Sequence, residues 1–215
     1  PGTWRENGDF GSGTGTTGAA GRMNKRDIGI YGSGGAHVGR TQIVGAGTTP
    51  TSATSPTIRV RDGYLRGFIL ADVEVGVVDS ADADLALGYA IELETNDTAT
   101  TLTATSSDEF AVLRNVKLDG GATGEVGLLL TGTTMLYAYN LLVAGWDFGI
   151  AFRGSSSNFP DGCHFYDTHY QDNVTADLAT ISSPGFGVYG TATAGGSCNM
   201  TNVTFHRSQY MDRGG

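Results

Sequence analysis

Leu113-Arg114-Asn115-Val116-Lys117-Leu118 decides how this chain is read, because versions of it return along the sequence. Leu65-Arg66-Gly67-Phe68-Ile69-Leu70 precedes it. Ala138-Tyr139-Asn140-Leu141-Leu142-Val143, Phe165-Tyr166-Asp167-Thr168-His169-Tyr170 and Met200-Thr201-Asn202-Val203-Thr204-Phe205 follow it. Each copy has an apolar residue, an outward-type residue, a turn former and a strand-like alternation. The turn formers Gly67, Asn115, Asn140, Asp167 and Asn202 stand 48, 25, 27 and 35 residues apart. A second series interleaves with the first: Gly88-Tyr89-Ala90-Ile91, Gly127-Leu128-Leu129-Leu130, Gly149-Ile150-Ala151-Phe152 and Gly187-Val188-Tyr189-Gly190. This alternation predicts an all-β solenoid with about three short strands per coil and loops of unequal length on a constant core.

Strand side chains alternate between faces, so the positions two before, one after and three after each turn former are expected inside. They read Leu65, Leu113, Ala138, Phe165, Met200; then Phe68, Val116, Leu141, Thr168, Val203; then Leu70, Leu118, Val143, Tyr170, Phe205. Only Thr168 and Tyr170 depart from an apolar interior. The alternate positions, Arg66, Arg114, Tyr139, Tyr166, Thr201 and Ile69, Lys117, Leu142, His169, Thr204, are mostly polar or amphipathic. Asn, Asp and Gly at the bend tolerate left-handed backbone and close tight turns, and stacked amides can hydrogen-bond along a column. The five turn formers are therefore expected in one column.

That asparagine column between short strands resembles the right-handed parallel β-helix, the pectate-lyase-like fold of phage tailspikes and tail fibres, over residues 27 to 213. Residues 27–215 are expected to form the β-helix domain, and a start at Pro1 with an end at Gly214-Gly215 in mid-pattern leads us to expect a segment of a longer chain. The resemblance implies a virion or extracellular location, a homotrimer, other virion proteins as partners and a host surface polysaccharide as ligand. A polysaccharide-degrading hydrolase or lyase on the same scaffold is the alternative, and a structural virion component without a ligand is a third reading.

Composition narrows the classes. Lys plus Arg is 13 and Asp plus Glu 22, a net charge of −9, which disfavours nucleic acid and anionic membrane surfaces. Apolar runs fall short of the ~18 residues needed to span a bilayer. Gly is 34 of 215 without a triplet period, which suits many tight turns and excludes collagen. Residues 1–26 hold seven glycines among Ser and Thr and read as a linker or an arm against a neighbour. Short strands are expected at Ile28–Gly32, Thr41–Gly45 and Thr57–Val60. Cys163 and Cys198 each lie four residues before a turn former. They are expected inside on consecutive coils, as two buried thiols or a disulfide.

Candidate chemistry is sparse. Glycosidic cleavage commonly uses two carboxylates ~5 to 9.5 Å apart. Glu92 and Glu94 would share one strand face ~7 Å apart, and Asp79, Asp108 and Glu109 lie on loop insertions. Against this stands an ordinary solvated acidic surface. Asp79, Asp82 and Asp84 could offer oxygens to Ca²⁺, although the spacing misses the EF-hand pattern, so no cofactor is expected. Tyr139, Tyr166, His169 and Arg207 are expected to share an outer surface able to bind sugar, or else to be plain exposed side chains. The same outer face, with Ile69 and Leu142, suits trimer packing. No nucleophile elbow, phosphate loop or zinc spacing occurs. Lyases of the group resemble calcium-plus-basic sites on outer strands, and outward Arg66, Arg114 and Lys117 do not complete such a motif.

Overall fold

The computed structural model describes residues 3–5, 8–10, 28–33, 41–44, 56–61, 67–76, 89–94, 110–131, 135–154, 161–171, 186–192 and 202–211. These residues are all-β. The strands are β1 (Thr3–Arg5), β2 (Gly8–Phe10), β3 (Gly29–Tyr31), β4 (Thr41–Val44), β5 (Pro56–Arg61), β6 (Phe68–Ala71), β7 (Val73–Gly76) and β8 (Tyr89–Glu94). They continue with β9 (Phe110–Thr131), β10 (Met135–Gly154), β11 (Cys163–Tyr166), β12 (His169–Gln171), β13 (Phe186–Ala192), β14 (Thr204–His206) and β15 (Gln209–Met211). The three strands expected near the start are present as β3, β4 and β5. Two further strands, β1 and β2, fall within the expected arm and pair with β4 and β5.

Every strand pairing is parallel, and the pairings sort into three ladders. The first runs β3, β6, the start of β9, the start of β10, β11 and β14. The second runs β1, β4, β7, the middles of β9 and β10, β12 and β15. The third runs β2, β5, β8, the ends of β9 and β10, and β13. From β3 onward each pass of the chain visits them in the order first, second, third. One apolar interior receives side chains from all three: Phe68, Leu70 and Leu113 from the first, Val75, Leu118 and Val143 from the second, Ile91, Leu128 and Phe152 from the third. Burial of these aliphatic and aromatic groups, at ~25 cal/mol per Å² of apolar surface, is the main stabilising term.

From β6 onward the turn between the first and second ladders is a single residue in left-handed conformation, and here the expected column needs correcting at both ends. Leu70 pairs with Leu113, so Asp72 and not Gly67 stands level with Asn115. Tyr166 pairs with His206, so Arg207 and not Asn202 stands level with Asp167. Asp72, Asn115, Asn140, Asp167 and Arg207 have φ between 52° and 59°. Gly67 (φ 72°), Gly162 (φ 69°) and Asn202 (φ 52°) mark a second bend at the opposite end of the same short strand, five residues earlier. Both bends accept Gly or Asn, so composition alone does not tell them apart. In the interleaved series Gly127 and Gly149 are level, while Ile91 pairs with Leu128 and puts Ala90, not Gly88, beside Gly127.

The bend column is tied by its own side chains. Asn115 Nδ2 donates to Asp72 Oδ1 at 2.8 Å and Asn140 Nδ2 donates to Asn115 Oδ1 at 3.0 Å. Arg207 Nη2 donates to Asp167 Oδ2 at 2.7 Å. Each such bond contributes a net ~0.5–1.5 kcal/mol, so their larger effect is to hold successive passes in register. The next bend, between the second and third ladders, is set by Trp146, fully buried with its Nε1 donating to Leu118 O at 3.1 Å. Gly120 makes room for it, because a Cβ there would collide with the Gly145 carbonyl and the indole.

Most positions expected inside are buried, including Thr168 and Tyr170, while Val203 and Phe205 are half-buried. Leu65 and Met200 lie outside the described residues. Cys163 stands level with Val203 in this register, and Cys198, with which it was expected to stack, lies outside the described residues. Cys163 is a buried thiol whose pKa is pushed up to about 12, chiefly by burial, with Asp161 adding to the rise and a backbone hydrogen bond at Leu136 opposing it. It stays protonated at neutral pH and is no nucleophile.

Candidate functional site

On the outer face of the first ladder, alternate residues of β10, β11 and β14 project away from the core. Stacking at one register places Tyr139, Tyr166 and His206 in a row along the ladder. Tyr139 and Tyr166 lie with ring centroids 5.0 Å apart and planes 8° apart; Tyr166 and His206 follow at 4.8 Å and 7°. Strands are ~4.8 Å apart, so flat aromatic side chains on neighbouring strands stack face to face. A parallel row beside it holds Tyr137, His164 and Thr204, with 5.3 Å between the first two rings and His164 Nδ1 2.7 Å from Thr204 Oγ1.

The ring faces inside this row cover one another. What the row offers to solvent is therefore ring edges, the Tyr139 and Tyr166 hydroxyls and the His206 ring nitrogens. Tyr139 is 41% exposed and His206 is exposed. Arg114 stands level with Tyr139 at one end, and Arg207 follows His206 at the other. Both guanidiniums are held by carboxylates, Arg207 on Asp167 and Arg114 3.7 Å from Asp72, with their side chains 77% and 55% exposed.

Of the four residues expected to form a binding surface, Tyr139 and Tyr166 come together and Arg207 stands beside them. His169 does not join the row: it lies beyond the Asp167 bend, level with Leu142 and Gln209 on the second ladder. The place expected for it, level with Thr204, belongs to His164. His206, Arg114, Tyr137 and His164 were not selected from sequence as parts of this surface. Arg114, Tyr137 and His164 follow from the 25- and 27-residue steps, and Arg114 already shares the outward column of Tyr139 and Tyr166 in the sequence; His206 needs the 40-residue step from Tyr166, which only the pairing register supplies.

The expected acidic pair fares differently. Glu92 is buried and its Oε2 lies 2.6 Å from Arg59 Nε on the adjacent strand. Glu94 pairs through its backbone with Arg61 and Thr131; its side chain, and Asp79, Asp82, Asp84, Asp108 and Glu109, lie outside the described residues. The other carboxylates whose side chains are described are also engaged. Glu74 and Asp119 meet Lys117, Asp161 accepts from Asn202 Nδ2, and Asp72 and Asp167 serve the bend column. Among the described residues no group of three or more His, Cys, Asp or Glu could hold a metal ion.

No family model, curated protein or solved structure matches the chain.

Proposed function

We propose that the chain is a right-handed parallel β-helix segment of a phage tailspike or tail fibre, and that it recognises a host surface glycan through the outer face of its later passes. The observation that carries this reading is the exposed row of Tyr139, Tyr166 and His206, presented at strand spacing on a stack of parallel passes around one core. Such a row offers hydroxyls, ring nitrogens and guanidinium groups in a fixed line, which suits an extended, hydroxyl-rich chain. Binding is favoured over cleavage because the described carboxylates already have partners, Glu92 included. The homotrimer packs through the more apolar early passes of the same ladder, where Tyr31 is 61% and Phe110 39% exposed and Ile69 points outward.

The test is to immobilise bacterial capsular polysaccharides and lipopolysaccharides and measure retention of the protein together with polysaccharide chain length. Retention with unchanged length, weakened about tenfold or more in the Tyr139→Ala, Tyr166→Ala double variant, is the expected result. Shortened products would replace this reading with a hydrolase or lyase. Absence of retention on every surface would leave a structural virion component.

A further inference from the structure

The geometry points to an anionic glycan, gripped edge-on by the row from Arg114 through Tyr139 and Tyr166 to His206 and Arg207; this rests on the glycan-binding reading above. Sugar recognition by aromatic side chains ordinarily uses an open ring face. Here the interplanar angles of 8° and 7° show that the inner faces are spent on neighbouring rings. An aromatic ring is negative on its face and positive at its edge. A stack seen from the side therefore presents positive edges, and Tyr hydroxyls add donors to the same surface. The row runs from Arg114 to His206, about three strand spacings or ~14 Å, a span that takes several sugar units, and Arg207 flanks its far end from the adjoining bend.

Each guanidinium has five N–H donors, of which one carboxylate takes two at most. Asp72 and Asp167 thus orient Arg114 and Arg207 while leaving donors facing solvent, as their exposure allows. Arg207 carries a second mark. It occupies the left-handed bend position at φ 53°, where the three preceding passes have Asn115, Asn140 and Asp167. An ordinary side chain there costs roughly 1–2 kcal/mol relative to Gly, and Asn or Asp less. Strain at a surface arginine that ends an aromatic row points to a task at that place. The net charge of −9 opposes a polyanion only at long range. Charges more than ~8 Å away are largely screened at physiological ionic strength, so the row decides the contact.

The experiment uses the intact protein and matched oligosaccharide pairs: uronate-bearing, sialate-bearing, sulfated and phosphorylated, each beside its carboxyl-reduced, desulfated or dephosphorylated counterpart. At least one acidic member should bind ten times or more tighter than its neutral partner, and the pair that shows this identifies the anion. Arg114→Gln and Arg207→Gln should each weaken the acidic member far more than its neutral partner and so remove most of that preference. Arg207→Asn is the decisive variant: relief of the backbone strain should keep or raise the melting midpoint while the acidic preference falls. A purely structural arginine predicts no change in preference. Equal binding of every pair would overturn the anionic assignment and leave glycan binding standing. Absence of binding to both members of all pairs would overturn both.

Discussion

The two central passes and the two that follow differ in a way that explains how the molecule is built. β9 and β10 run for 22 and 20 residues through all three ladders, and their second-ladder interior is aliphatic, with Val116 and Leu141 at one position and Leu118 and Val143 at the next. In the later passes the same two positions become Thr168 and Tyr170, and Ser208 follows level with Thr168. Thr168 Oγ1 and Ser208 Oγ are buried and have no hydrogen-bond partner. The bend column changes in parallel, from amides bonded in series to an exposed ion pair between Asp167 and Arg207. The aliphatic interior thus lies in the centre and the later passes carry polar groups inside, while the outer aromatic row runs across both, from Tyr139 on β10 to Tyr166 and His206.

The largest effect that would test this contrast comes from Trp146. Trp146→Ala opens a cavity in the central interior and leaves the Leu118 carbonyl without its donor, and should cost ~3–5 kcal/mol in denaturant unfolding. A cost under ~1 kcal/mol would mean that the centre is no stiffer than the flank. Asn115→Ala comes next. It removes the bonds to both Asp72 and Asn140 and puts Ala in a left-handed bend, for ~2–3 kcal/mol. Asp167→Gly keeps the backbone conformation and deletes only the exposed pair, so it should shift stability by less than ~1 kcal/mol. Equal losses would erase the distinction between amide ladder and ion pair. The smallest effect has the opposite sign. Thr168→Val replaces an unsatisfied buried hydroxyl with a methyl group of similar size and should stabilise by ~1 kcal/mol, whereas Val116→Thr two passes away should destabilise by ~1–2 kcal/mol. Destabilisation by Thr168→Val would show that the hydroxyl is satisfied in solution.

The same contrast explains what was legible in the sequence. Where β9 follows directly into β10, the step is 25 residues from Leu113 to Ala138 and the next is 27 to Phe165, and reading the turn formers in sequence found both. At either side the passes are longer, and Gly67 and Asn202 drew the register to the wrong bend. The true steps there are 43 residues from Leu70 to Leu113 and 40 from Phe165 to Phe205. The inside positions survived that slip, because Phe68 and Leu70 face the core from a strand with bends at both ends. The outer row did not survive intact. Tyr139 and Tyr166 follow from the well-read step, but the partners of His164 and His206 depend on the misread one. The fate of Glu92 was hidden for another reason: its cation, Arg59, lies 33 residues away and meets it only through the third-ladder pairing.

From β6 onward the first and second ladders advance in lockstep: both gain 43 residues, then 25, 27 and 40. The third follows its own count, 37 from Ile91 to Leu128 and 22 from Leu128 to Ile150. From β6 onward, changes in length therefore fall at the other two corners, whereas in the first pass nine residues separate β3 from β4 at this same corner. Grafting foreign segments at the corners that already vary should change what this scaffold displays and spare the one-residue bends of the later passes.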